Sequence, residues 1–139
     1  MAIWQFDFNI IPKVHDTTNI LSWIGVKLDG EAIQDLQNIL GSQTSWSVDI
    51  MQFGKDDETC IKILKEKDEI DEIACRLDLR TLRREELKKI LTYINQLNAE
   101  LYYLGKVYPV SLPVCLSLIK KSDAIRYCQN PAKFLEELS

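Results

Sequence analysis

The first stretch of the chain, "IWQFDFNI", alternates without a break: Trp4, Phe6, Phe8 and Ile10 fall on one side, Gln5, Asp7 and Asn9 on the other. A period of two places successive side chains on opposite faces of a pleated strand, so this reads as a half-buried strand with an aromatic inner face. Pro12, which has no N–H to give to a ladder, closes it. "TSWSVDIMQFG" repeats the pattern with Trp46, Val48 and Ile50 inward and Ser45, Ser47 and Asp49 outward. The acidic reversal "KDDE" leads into a return strand, "TCIKIL", through Ile61 and Ile63. A second reversal, "KEKDEIDE", leads into a fourth strand, "IACRLDLR". Short polar reversals between strands predict an antiparallel meander with one dry face and one wet face.

Two segments carry the helical period instead. "DGEAIQDLQNILG" has Asp29 or Gly30 at its start, Glu31 in its first turn, a stripe of Ile33, Leu36, Ile39 and Leu40, and Gly41 as terminator. After Thr81, a suitable cap, the residues Leu87, Ile90, Leu91, Ile94, Leu97, Leu101 and Leu104 define a stripe that predicts one helix over 82–104, closed by Gly105. "HDTTNILSWIG" suggests one helical turn opened by Asp16 or Thr17 and stopped by Gly25. The tail reads as punctuated short helices: Pro113 opens one, Ser122 caps a second, and Asn130 with Pro131 caps and opens a third. The predicted architecture is a single α+β domain over 1–139: a four-stranded, mainly antiparallel sheet with helices on one face.

Composition adds the solvent context. A chain of 139 residues with 46% hydrophobic and 27% charged side chains can bury a core without a disulfide or metal staple. Four cysteines, Cys60, Cys75, Cys115 and Cys128, form no C-x-x-C pair and sit in apolar contexts, which predicts reduced thiols rather than a zinc site. No apolar run reaches the ~20 residues of a membrane span, and the N-terminus lacks a basic region ahead of its apolar stretch. Together these predict a cytoplasmic protein without a membrane partner. Net charge is −4, unevenly spread: residues 1–75 carry 6 basic and 14 acidic side chains, residues 76–139 carry 11 and 7. An acidic chain repels phosphate backbones, so nucleic acid is a poor partner and a basic protein a good one.

Catalytic chemistry finds little support. His15 is the sole histidine, the five glycines stand singly so that no phosphate-cradling loop exists, and no G-x-S-x-G elbow occurs. "DDE" at 56–58 lacks the spacing and central glycine of a calcium loop. The expectation is no enzyme, no cofactor and no metal. The most distinctive feature is the cluster Arg76, Asp78, Arg80, Arg83 and Arg84, where the strand period passes into the helical one. As a ladder on the wet face it would pair with Asp7, Asp49 and Lys62 across strands, each opposite-charge pair contributing ~0.2–1 kcal/mol. As an uncovered patch it would dock a protein, since arginine's planar fork makes paired hydrogen bonds and stacks on rings. Trp23, in the loop before Gly25, is either core or an exposed anchor of the same surface. The partner-binding candidates are therefore Asp7, Asp49, Arg76, Asp78, Arg80, Arg83, Arg84 and Trp23.

"WQFDFNIIPK", "SWSVDIMQFG" ahead of an acidic turn, "EIACRLDLR" running into a helix, and the closing "SDAIRYCQNPAKFLEEL" together resemble small bacterial immunity proteins encoded beside polymorphic or contact-dependent toxins. That resemblance spans most of the chain at the level of pattern and implies a stoichiometric inhibitor that binds a cognate toxin domain and has no catalysis of its own; the chain itself is expected to be a monomer or a homodimer. It carries no residue roles. Two other readings stand beside it: a structural or regulatory homodimer, and a small ligand-binding domain or enzyme built on Asp49, Arg76 and Asp78.

Overall fold

The computed structural model describes residues 4–13, 18–26, 28, 30–43, 49–67, 69–127 and 130–139. The fold is α+β: one antiparallel sheet and four α-helices, with a 3-10 turn between the last two. The strands are β1 (Gln5–Pro12), β2 (Ser42–Gln43), β3 (Ile50–Phe53), β4 (Cys60–Glu66), β5 (Glu69–Asp78), β6 (Ala99–Tyr103) and β7 (Lys106–Tyr108). They lie in the order β2-β3-β4-β5-β1-β6-β7. The four-strand expectation is thus corrected to six strands of three residues or more plus the two-residue β2. The meander β3-β4-β5 is as expected. The first strand inserts between β5 and β6, pairing Phe8 with Cys75 on one side and Ile10 with Leu101 on the other.

The largest departure lies beyond Thr81. The helix there, α2, covers only Arg84–Gln96, about 20 Å rather than the expected 30 Å. Its first turn begins after Arg83, whose side chain makes no cap, so Thr81 is not the N-cap. Leu97 ends the helix and Asn98 turns left-handed at φ 56°, a conformation that asparagine tolerates better than most side chains. From Ala99 onward the chain is a hairpin, with Tyr103 paired to Lys106 across Leu104 and Gly105. Leu97, Leu101 and Leu104 fit a helical stripe, but Ala99, Leu101 and Tyr103 fit an inward strand face equally well. The vacant edge of β1 selects the strand.

Strand phase sorts the residues into two faces. Phe53, Ile61, Ile63, Ile73, Cys75, Leu77, Phe6, Phe8, Ile10 and Leu101 join Leu36, Leu87, Ile90, Leu91, Ile94, Cys115, Leu118, Ile119 and Leu138 from the helices in one core. The four buried aliphatics of α2 contribute on the order of 6–12 kcal/mol gross, before chain entropy opposes them. Phe6 packs its ring 4.8 Å from that of Tyr103 and 5.9 Å from that of Phe8. In β3 the expected phase is inverted. Met51 and Phe53 turn to the core and Ile50 sides with Gln52, because β4 pairs Ile63 with Met51 and Ile61 with Phe53. Trp46, Val48, Ser45 and Ser47 lie outside the described residues, as do His15, Asp16, Thr17 and Cys128.

The reversals are tighter than expected. β4 and β5 run to Glu66 and from Glu69, which are paired, so the expected reversal over 65–72 is mostly strand, and Lys67 stands at φ 52°. Helix α1 (Gly30–Leu40) and its Gly41 terminator (φ +73°) match the expectation. The described part of the expected turn at 15–25 is irregular loop. Ser111 caps α3 (Leu112–Lys121) by accepting from Val114 N–H, with Pro113 in the first turn. Ser122 opens no α-helix; its hydroxyl donates to Ile119 O at 2.6 Å and closes α3, and a 3-10 turn (Asp123–Tyr127) follows. Asn130 caps α4 (Pro131–Leu138) through Lys133 N–H, as expected.

Candidate functional site

The second face of the sheet carries a hollow of about 330 Å³, lined only by strand residues and by Leu104 of the β6–β7 turn. The smallest side chain in its lining is Ala74. In register across four strands stand Tyr102, Asn9, Ala74 and Lys62, and Ala74 is too short to fill its place. One row along, Asp7, Arg76 and Cys60 lie side by side on β1, β5 and β4.

The charges round the hollow are fixed by their neighbours. Arg76 Nε reaches Asp7 Oδ1 at 3.0 Å, and its Nη1 donates to the backbone carbonyl of Asp56 at 3.0 Å, with the Asp56 carboxylate 3.8 Å away. Partial burial pulls the Arg76 pKa down, but the Asp7 hydrogen bond and charge outweigh it and the net shift is upward. Lys62 Nζ pairs with Asp56 Oδ1. Its hydrogen bond holds that carboxyl below the usual aspartate range, against a smaller desolvation effect and with help from the charges of Lys62 and Arg76. At the other end, Asn9 Nδ2 donates to Glu72 Oε1 at 2.7 Å.

Arg80 and Asp78 sit just beyond this ladder and serve the backbone. Asp78 is fully buried, which corrects the expectation that it faces water. Its Oδ1 accepts from Arg80 N–H at 3.0 Å and from Arg80 Nε at 3.0 Å, while its Oδ2 accepts from Arg80 Nη2 at 2.9 Å. A buried carboxylate is tolerable only with such hydrogen bonds and a partner charge. Arg80 also donates to Asp57 O at 3.0 Å, and its guanidinium carbon lies 4.1 Å from the centre of the Trp4 ring. Arg76 and Arg80 thereby grip the carbonyls of the 54–59 loop, and Thr59 Oγ1 ties the same loop to Asp78 N–H at 3.0 Å.

The remaining candidates separate from the hollow. Arg83 and Arg84 are exposed at the start of α2 and, among the described residues, enter no ion pair. Asp49 accepts from Lys65 N–H through its backbone carbonyl, at the far end of β4 from the Cys60–Arg76 pair. Five strand residues, roughly 16 Å, divide Asp49 from Arg76, so Asp49, Arg76 and Asp78 do not converge on one pocket. Trp23 is fully buried and is no surface anchor: its indole donates to Ile10 O at 2.7 Å and its backbone N–H to Asp71 O at 3.1 Å. It wedges between β1 and β5 where their ladder ends.

Asn9, Lys62, Glu72, Ala74, Tyr102 and Leu104 line the hollow and were absent from the partner-binding candidates. Asn9 and Ala74 were already on the outward phase of strands read correctly. A helical period over 82–104 hides Tyr102 and Leu104, whose placement depends on pairing with β1 and β7. Leu104 is 83% exposed and held left-handed at φ 48°, followed by Gly105 at φ +82°. Two successive positive φ angles make the hairpin turn that asparagine and glycine favour, and a leucine there costs roughly 1–2 kcal/mol.

Chemically, the described thiols are quiet. Burial raises Cys60 against the opposing charges of Arg76 and Lys62, raises Cys75 strongly, and pushes Cys115 up to about 12. Among the described residues no group of three histidine, cysteine or acidic side chains converges as a metal site, and no helix is long and apolar enough to cross a membrane. Comparison with known proteins finds no matching family model, no matching curated protein and no matching solved structure.

Proposed function

We propose that this chain is a non-catalytic, cytoplasmic protein-binding domain of the immunity type, which captures and blocks a cognate bacterial toxin domain through the open face of its sheet. One observation carries the docking surface: a leucine left 83% exposed, Leu104, is held in a disfavoured backbone conformation on the rim of a hollow lined by strand residues. Strained backbone persists where the surroundings over-determine it, and such positions cluster at binding and active sites. Burying that leucine against a partner contributes ~1.5–3 kcal/mol. The Arg76–Asp7 and Lys62–Asp56 pairs are made before any partner arrives, so binding need not order them. Raised thiol pKa values and the pairing of Lys62, Arg76 and Arg80 with carboxylates support the non-catalytic part. The resemblance to immunity proteins, together with the acidic first half, supports the toxin as partner.

Leu104→Asn tests this directly, because asparagine suits the left-handed turn. The variant should melt at a higher temperature than the wild type. Its complex with the protein encoded beside this gene, measured by calorimetry, should weaken about 10- to 100-fold. Failure of the neighbouring gene product to bind the wild-type chain, or an L104N variant that binds it as tightly as wild type, refutes the proposal.

A further inference from the structure

We infer that the hollow over Ala74 is a seat for one cationic side chain, an arginine or lysine of the partner protein, with Glu72 as its counter-charge and Tyr102 as its ring face. This rests on the open face being the docking surface, and it specifies what that surface recognises.

The argument is one of charge complementarity. Both cations lining the hollow already have carboxylates: Lys62 has Asp56, and Arg76 has Asp7. An anionic visitor would have to break one of these pairs. Glu72 differs. Among the described residues its hydrogen-bond donor is the neutral amide of Asn9, and no lysine or arginine pairs with it. A carboxylate has about four acceptor positions, and a guanidinium can take two of them side by side.

Position favours a cation at this end. Lys62 is drawn toward the 54–59 loop, at the Cys60 end of β4, whereas Glu72 is in register with Leu64 at the opposite end. Tyr102 is in register with Asn9, which places the phenol ring on the same row as the amide that holds Glu72. A cation lying over the short Ala74 thus has the Glu72 carboxylate two residues along β5 and, beyond Asn9, the Tyr102 side chain lining the same hollow. Glu100, two residues from Tyr102 on the same face of β6, extends the negative field along that strand. The −8 balance of residues 1–75 would steer a basic partner toward this face.

The experiment uses the full chain and four peptides of glycine and serine that differ only in one central residue: arginine, lysine, leucine or glutamate. Amide shifts in ¹⁵N–¹H spectra report binding. The arginine and lysine peptides should shift Asn9, Glu72, Ala74 and Tyr102, the glutamate peptide none of them. Glu72→Gln keeps the oxygen that Asn9 holds. It should weaken the arginine peptide about fivefold and leave the leucine peptide unchanged. Tyr102→Leu should weaken the arginine peptide about threefold. Glutamate-peptide binding at the hollow, shifts scattered over other carboxylates, or an E72Q affinity equal to wild type overturns the inference. The same variants in the partner complex separate the two levels. If L104N weakens the complex and E72Q does not, the docking surface stands and the cation seat falls. If L104N leaves the complex intact, the docking surface itself falls and the seat for a partner side chain falls with it.

Discussion

Gly54 and Gly25 allow a clean test of how the 54–59 loop, gripped by Arg76 and Arg80, is held. Their φ angles are nearly equal, +85° and +86°, so an alanine at either meets the same backbone penalty of roughly 1–2 kcal/mol. Their surroundings differ. A Cβ on Gly25 meets nothing within 4 Å, whereas one on Gly54 lies 2.3 Å from Thr59 O and 3.1 Å from Cys60 Cα. Those atoms cannot give way cheaply. Cys60 begins β4, Thr59 Oγ1 holds Asp78 N–H, and Gly54 N–H itself donates to Gly41 O at 2.9 Å. Overpacking against such a site costs about 1–3 kcal/mol more. Gly25→Ala should therefore cost ~1–2 kcal/mol and Gly54→Ala ~2–5 kcal/mol. Urea unfolding followed by far-UV circular dichroism reads the difference as roughly 1 M in midpoint at unchanged slope. Midpoints for the two variants within about 0.2 M of each other would show that the 54–59 loop yields freely, and the account of a rigidly gripped loop would be wrong.

Three further outcomes follow from the same contacts. Desolvation raises the Glu86 pKa, against a hydrogen bond from Thr59, so the folded state binds more protons than the unfolded one as pH rises past about 4.3, and ionisation then costs stability. Glu86→Gln should raise the melting temperature at pH 7, with the gain vanishing below about pH 4; an equal gain at both pH values contradicts this. Trp23→Phe keeps most of the ring but strips Ile10 O of its indole donor, and calorimetry should show a loss of about 1–3 kcal/mol. Cys60, Cys75 and Cys115, all buried with raised pKa values, should resist iodoacetamide at pH 7.5 in the native state and react in urea, as followed by peptide mass mapping.

Where the period of two runs long and the reversals are polar, the chain is read correctly from its letters: β1, β4 and β5 carry their core residues on the expected face, except that Trp4, expected inward with β1, precedes the strand and lies against Arg80 outside the core. The cluster at 76–84 shows the limit. Arg76 is on the open face as expected, yet Asp78, two residues on and in the same phase, is buried. The strand ends there and the 54–59 loop folds over it. A side chain's neighbours in such a loop are nineteen or more positions distant, and no local period encodes them. Residues 97–104 fail for another reason: eight residues of mixed apolar and polar type satisfy both periods, so long-range pairing with β1 decides between them.

From its sequence alone this chain determines an amphipathic α+β composition, three strands of a meander, the caps at Asn130 and around Pro113, and an acidic first half. These follow from backbone sterics and side-chain period, which act within a few residues. Strand order, the central place of β1, the burial of Trp23 and Asp78, and the hollow over Ala74 arise only when distant segments compete for the same hydrogen-bonding edges and the same core volume. An alanine on a strand is unremarkable by itself. It becomes the floor of a site because Asn9, Lys62 and Tyr102 come from three other strands to stand beside it.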